Sequence, residues 1–300
     1  MASHSFLPSL CFSITIVLGS TMTALCEDDP RFLVSPEWVA SHLDDPALVL
    51  LHVGTIEQYD STHLPGAHFV ALSEITMKRG EEMIAFELRP SAHLDSVFES
   101  KGVSDDSRIV IYYGRDWISP TTRVYLTLDY LGFGDRTVIM DGGMGAWINK
   151  GYAVTSDPPV PRQGTLTPLP RSDVVVTVDW MKDNYANPGT ALIDSRNREY
   201  YTGEELGNSK RPGHIPGARS LPFSELVDET NRFKDKEVLR EMFREEMAEG
   251  QTVVSYCHIG QQASLTYFVA RYLGQEARMY DGSINEWSRN PELPLITGEE

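Results

Sequence analysis

Apolar residues fall into short dense runs separated by polar stretches rich in Gly and Pro. A-L-V-L-L-H-V (47–53), R-I-V-I-Y (108–112), T-A-L-I-D (190–194) and T-V-V-S-Y (252–256) are nearly unbroken. Runs of this length bounded by turn signals predict strands buried on both faces. Longer segments follow in which apolar residues recur at helical spacing: T-T-R-V-Y-L-T-L-D-Y-L (121–131), A-S-L-T-Y-F-V-A-R-Y-L (263–273) and residues 238–247. Short buried strands alternating with helices predict an α/β fold with a mainly parallel sheet flanked by helices.

The same order of elements occurs twice. V-S-P-E-W (34–38) matches V-T-V-D-W (176–180) at an offset of 142, and Pro46 matches Pro188 at the same offset. H-L-P-G-A (63–67) matches H-I-P-G-A (214–218) at an offset of 151, so the second half carries nine extra residues ahead of that motif. I-V-I-Y pairs with V-V-S-Y, Leu131-Gly132 with Leu273-Gly274, and D-G-G-M-G-A-W (141–147) with D-G-S-I-N-E-W (281–287). A period this long excludes a solenoid and predicts two copies of one domain. Each copy is expected to open on a Trp-bearing helix and close on the D-G-x-x-x-x-W turn. The 300 residues agree with two domains of roughly 150 each. Five prolines in 155–171 mark a linker, leaving copies at 31–154 and 172–298.

Composition narrows the function classes. A net charge of −17 without a basic stripe argues against nucleic-acid binding. Residues 7–25 are apolar or small around Ile14, Ile16, Val17 and Leu18, with acidic residues from Glu27 onward. This pattern predicts a secretory leader over 1–26, cut after Ala24 or Cys26. The protein is then exported, periplasmic or extracellular. T-A-L-C also leaves open a lipoprotein signal, with membrane attachment only through Cys26. The run is short and interrupted for a membrane span. Removal of 1–26 takes Cys11 and Cys26 with it and leaves Cys257 as the single thiol, unable to form an internal disulfide.

Cys257 directly follows the strand 252–256 and precedes H-I-G-Q-Q, after which a helix begins near Ala263. The sulfur is thus expected at the C-terminal end of a strand and at the mouth of a helix, where open α/β sheets bind ligands. Inward-pointing loop amides and the helix dipole favour thiolate over thiol. Gly260 allows the tight curl because it tolerates positive φ. His258 can add positive potential or handle a proton. Gln261 and Gln262 are expected to hydrogen-bond at the helix start. His63 and His214 precede equivalent turns in both copies, which points to a structural role. No metal-ligand cluster or glycine-rich nucleotide loop stands out, so no cofactor is expected.

The duplicated domain, H-I-P-G-A, the strand–C-x-x-G-x-x-A–helix unit and D-G-x-x-x-x-W together resemble the tandem rhodanese family over about residues 31–294. That family includes thiosulfate and 3-mercaptopyruvate sulfurtransferases. The resemblance implies two rhodanese-like domains, the first inactive and the second carrying the nucleophile. Tyr113 stands where Cys257 stands in the second copy, in a loop two residues longer, and His52 and Gly54 stand opposite Asp194 and Arg196. D-S-R resembles the family's D-x-R element, which implies that Arg196, oriented by Asp194, holds the loop or an anionic substrate. Tyr200 replaces a second family arginine, and Arg198 is a nearby candidate to substitute for it. The active-site loop is then His258, Ile259, Gly260, Gln261 and Gln262. The partners implied are a small anionic sulfur donor and a thiol or cyanide acceptor, handled by a monomer.

Three other classes compete. A cysteine phosphatase of the C-x5-R type would need its arginine at Ala263. A peptidase needs a Cys–His dyad for which the sequence offers no definite pair. A non-enzymatic rhodanese-fold binding module would have no need of Cys257. Among donors, C-H-I-G-Q-Q matches neither the mercaptopyruvate-type nor the thiosulfate-type loop. Export favours inorganic thiosulfate, with 3-mercaptopyruvate as the alternative.

Overall fold

The computed structural model describes residues 1, 30–78, 86–114 and 118–299. The leader expected over 1–26, with Cys11 and Cys26, lies outside the described residues apart from Met1. Each copy forms one five-stranded, wholly parallel sheet. In the first copy β1 (Leu33–Val34), β2 (Leu48–Val53), β3 (His68–Val70), β4 (Arg108–Tyr113) and β5 (Thr137–Met140) lie in the order β1-β5-β4-β2-β3. In the second, β6 (Val175–Val176), β7 (Thr190–Asp194), β8 (Arg219–Ser220), β9 (Thr252–Tyr256) and β10 (Ala277–Tyr280) repeat it as β6-β10-β9-β7-β8. The dense apolar runs form the central strands because helices cover both faces of the sheet. The two-residue edge strands β1 and β6 precede the Trp-bearing helices; segments this short leave no periodic signal in the sequence.

The repeated landmarks are structural joints. His63 stacks on Tyr59 at 4.0 Å, and His214 stacks on Tyr201 at 3.6 Å. Each imidazole Nδ1 lies against the carbonyl of its stacking tyrosine, at 2.7 and 2.8 Å. Tyr112 and Tyr256 each accept, at the hydroxyl, a backbone N–H from the H-x-P-G-A turn of their own copy, from Leu64 and Ile215. Trp147 and Trp287 donate their indole N–H groups to the carbonyls of Ala153 and Pro294. A buried indole keeps its polar edge satisfied in this way.

The proline-rich stretch is a strap held along the first copy. Thr155 pairs with His63, Gly164 donates to the Glu99 carbonyl, and Leu169 and Arg171 donate to the carbonyls of Leu131 and Tyr130. The two copies meet through counterpart helices, Ser119–Tyr130 and Ala263–Tyr272, whose buried residues join one continuous core. Tyr125 packs edge-on against Phe268 at 4.7 Å, and Tyr267 donates its hydroxyl to the buried carboxylate of Asp129 at 2.6 Å.

Candidate active site

Burial of V-V-S-Y in β9 ends at Cys257, and Gly260 turns the chain into the helix Ala263–Tyr272. Gly260 adopts φ +87° and donates its N–H to Cys257 Sγ at 3.2 Å. The other Cys257 contacts hold the backbone: its N–H donates to Ser283 Oγ at 3.1 Å, and its carbonyl accepts from the Ile284 N–H at 3.1 Å. Ser283 sits at φ +54° in the D-G-x-x-x-x-W turn, so this turn backs the cysteine loop. Cys257 is fully buried and unpaired.

Asp194 ends β7, Arg196 lies in the loop that follows, and both are fully buried. Arg196 Nε donates to Asp194 Oδ1 at 2.9 Å, Nη2 donates to Oδ2 at 2.5 Å, and Nη2 also reaches the Gly213 carbonyl at 3.0 Å. Nη1 has no partner among the described residues. Burial opposes the guanidinium charge, yet Asp194 and, in the same direction, Tyr256 and Cys257 hold its pKa above the ordinary arginine range. A buried, permanently charged group that interacts electrostatically with Cys257 and keeps Nη1 unpartnered among the described residues is suited to an anion.

His258 packs against the Tyr200 ring at 4.6 Å, edge to face. Burial, reinforced by the nearby charge of Arg196, pushes its pKa down to about 4, so it is neutral at physiological pH. It therefore adds no positive charge to the loop. The extra residues of the second copy close over this pair: a Cβ built at Gly207 would meet the His258 ring at 2.7 Å and the Tyr200 ring at 3.0 Å.

Arg198 is exposed and paired with Glu299, and does not join the buried Asp194–Arg196 pair. Ile259 is half-buried. The two glutamines differ from expectation. Gln261 Nε2 donates to Ser119 Oγ of the first copy at 3.3 Å, whereas Gln262 makes no side-chain bond at the helix start and its Oε1 is buried without a partner. The Ser264 hydroxyl donates to the Gln261 carbonyl at 2.6 Å instead.

Sequence reasoning missed the residue through which the first copy reaches the cysteine loop. Arg123, fully buried in the helix Ser119–Tyr130, forms an ion pair with Asp281 at 2.6 Å and donates to the Gly260 carbonyl at 3.3 Å. The Leu88 N–H donates to Asp281 Oδ2 at 2.8 Å. A signal existed, since Arg123 is a charged residue at the place that the apolar Leu265 takes in the counterpart helix. At the counterpart of the cysteine, Tyr113 is buried and donates its hydroxyl to the Asn231 carbonyl of the second copy at 2.8 Å.

The chain is 29% identical to the sulfur carrier protein TtuD of Thermus thermophilus over 293 residues, 90% of this chain and 98% of that protein. It is 29% identical to the thiosulfate sulfurtransferase of Rattus norvegicus over 296 residues, 90% of this chain and 96% of that protein. Its fold is similar to that of the anaerobic ergothioneine biosynthesis enzyme from Chlorobium limicola, with TM-score 0.79 and 21% identity over 89% of this chain and 70% of that one. The rhodanese-like domain matches residues 35–150 and again 177–290, so the chain belongs to the rhodanese family as a two-domain member.

Proposed function

We propose that the chain moves sulfane sulfur from thiosulfate to a thiol or cyanide through a persulfide on Cys257. The observation that carries this reading is the Gly260 N–H on Cys257 Sγ at 3.2 Å, at a strand end and within electrostatic reach of the buried Arg196. Relatives named as a thiosulfate sulfurtransferase and as a sulfur carrier protein support it.

In the first half-reaction the Cys257 thiolate attacks the outer sulfur of thiosulfate. The S–S bond breaks, sulfite leaves with its electron pair, and Cys257 keeps the sulfur as a persulfide anion. In the second, an acceptor thiolate or cyanide attacks that sulfur, and the Cys257 thiolate is restored. No net oxidant is needed. Backbone N–H groups and the Arg196 charge stabilise the anion at each stage. Because Cys257 is fully buried, donor and acceptor can reach it only if the surrounding residues move aside. The residues that wall the site come from both copies of one chain, so a monomer suffices.

Steady-state assays with thiosulfate and cyanide test the reading. Parallel double-reciprocal plots are expected, with activity abolished in Cys257→Ser, because a serine hydroxyl is not ionised here and forms no persulfide. Intersecting plots, or an active serine variant, would overturn it. Turnover faster with 3-mercaptopyruvate than with thiosulfate would reassign the donor alone. Export through a leader over 1–26 is part of the proposal and rests on the apolar run at 7–25. Intact-mass analysis of native protein is expected to give a chain starting near Glu27; a full-length chain from the cytosol would contradict export, and added lipid mass on Cys26 would indicate the anchored form.

A further inference from the structure

We infer that Arg123, contributed by the copy without a cysteine, is a positioning residue of the cysteine loop. The inference rests on the proposed sulfur transfer. Arg123 is fully buried, and its side chain bridges three backbone and side-chain groups drawn from both copies. Nη1 pairs with Asp281 at 2.6 Å and donates to the Gly260 carbonyl at 3.3 Å; Nη2 donates to the Phe86 carbonyl at 2.7 Å. Gly260 is thus held at both ends, its N–H on Cys257 Sγ and its carbonyl on the guanidinium. A Cβ built at Gly260 would lie 2.8 Å from Asp281 Oδ1 and 3.1 Å from Arg123 Nη1, so the loop is seated directly on this ion pair.

The bridge is mirrored only in part. Asp141, the counterpart of Asp281, also accepts from the opposite copy, through the Phe233 N–H at 3.2 Å and Arg232 Nε at 3.0 Å. The place of Arg123 in the second copy is taken by Leu265. A fully buried arginine at this helix position thus occurs only opposite the loop that carries sulfur. A guanidinium presents its donors in a rigid planar fork, whereas an ammonium is a compact point charge with rotatable donors. Arg123 does not touch the sulfur; it holds the carbonyl of the residue whose N–H does.

The experiment compares unaltered protein, Arg123→Lys, and the paired variant Arg123→Leu with Asp281→Asn, which removes both buried charges together. Each is followed by thermal melting, by the pH profile of Cys257 alkylation with iodoacetamide, and by thiosulfate kinetics. In folded variants the alkylation midpoint is expected to move to higher pH. Turnover is expected to fall about 10²-fold, the cost of misplacing a reacting group by about 1 Å, with a smaller change in KM. Arg123→Lys is expected to retain the melting temperature better than it retains turnover. An unshifted alkylation profile with turnover intact in either folded variant would overturn the positioning role. Unfolding of both would overturn it too, assigning Arg123 to stability alone. If the unaltered protein takes no sulfur onto Cys257, sulfur transfer itself fails, whereas a persulfide on unaltered protein with normal variants rejects Arg123 only.

Discussion

A side chain at position 260 meets two obstacles, the positive φ of +87° and the contact with Asp281. Gly274 has φ +82° but open space around its missing Cβ. The pair separates strain from crowding. Gly274→Ala is expected to lower stability by about 1 kcal/mol with turnover unchanged. Gly260→Ala is expected to cost about 1–3 kcal/mol and to reduce sulfur transfer, because its N–H leaves the sulfur. Denaturant titration and thiosulfate kinetics on both variants check this; equal turnover in the two would contradict the role given to Gly260. Cys257 and Gly260 were legible because a thiol and a flexible residue at a strand-to-helix turn have few other uses. His258 was legible in place but not in charge, since its neutrality comes from burial and Arg196, which lie far along the chain.

At the scale of elements, each copy lays an extended segment on the other. Residues 86–89 bring Leu88 to Asp281, and residues 231–233 bring Phe233 to Asp141. Glu87 is carried into the first of these contacts. Burial first, then the charges of Asp281 and Glu286, push its pKa up to about 7, with Arg123 opposing. Folded protein thus keeps a proton that an unfolded chain releases at about pH 4.3. The resulting stability is full below about pH 4.3 and is lost as pH rises through about 7. His258 works the other way, losing stability as pH falls from about 6.5 toward its folded value of about 4. Melting temperature against pH is therefore compared between unaltered protein and Glu87→Gln. The variant is expected to gain relative stability as pH rises from about 4.3 to about 7; a constant difference would contradict the assigned shift. The strands and the long helices were legible from continuous apolar runs and helical spacing. The edge strands β1 and β6 were not, being two residues each. The strap at 155–171 was read as a separator from its prolines, but its binding to the first copy depends on backbone bonds that leave no pattern.

At the scale of the molecule, the repeat explains both what the copies share and where they part. His63 and His214, Trp147 and Trp287, and Asp141 and Asp281 hold equivalent joints in both, so these landmarks recur whether or not a thiol is present. The helices Ser119–Tyr130 and Ala263–Tyr272 meet as counterparts, and their differences fall at the contact: Asp129 receives the hydroxyl of Tyr267, and Arg271, in the place of Asp129 in the second copy, lies 3.8 Å from it. Duplication was legible from six landmarks in order. Which residues join the copies into one core was not, because buried residues of either copy look alike in sequence whichever neighbour they pack against.

The central claim is that sulfur is carried on Cys257. Purified protein incubated with thiosulfate, freed of excess donor and analysed by peptide mass spectrometry tests it most directly. One added sulfur of about 32 Da is expected on the peptide holding Cys257, disappearing when cyanide is added. It is expected to be absent from Cys257→Ser. No adduct on that peptide, or an adduct that persists in Cys257→Ser, would contradict the account.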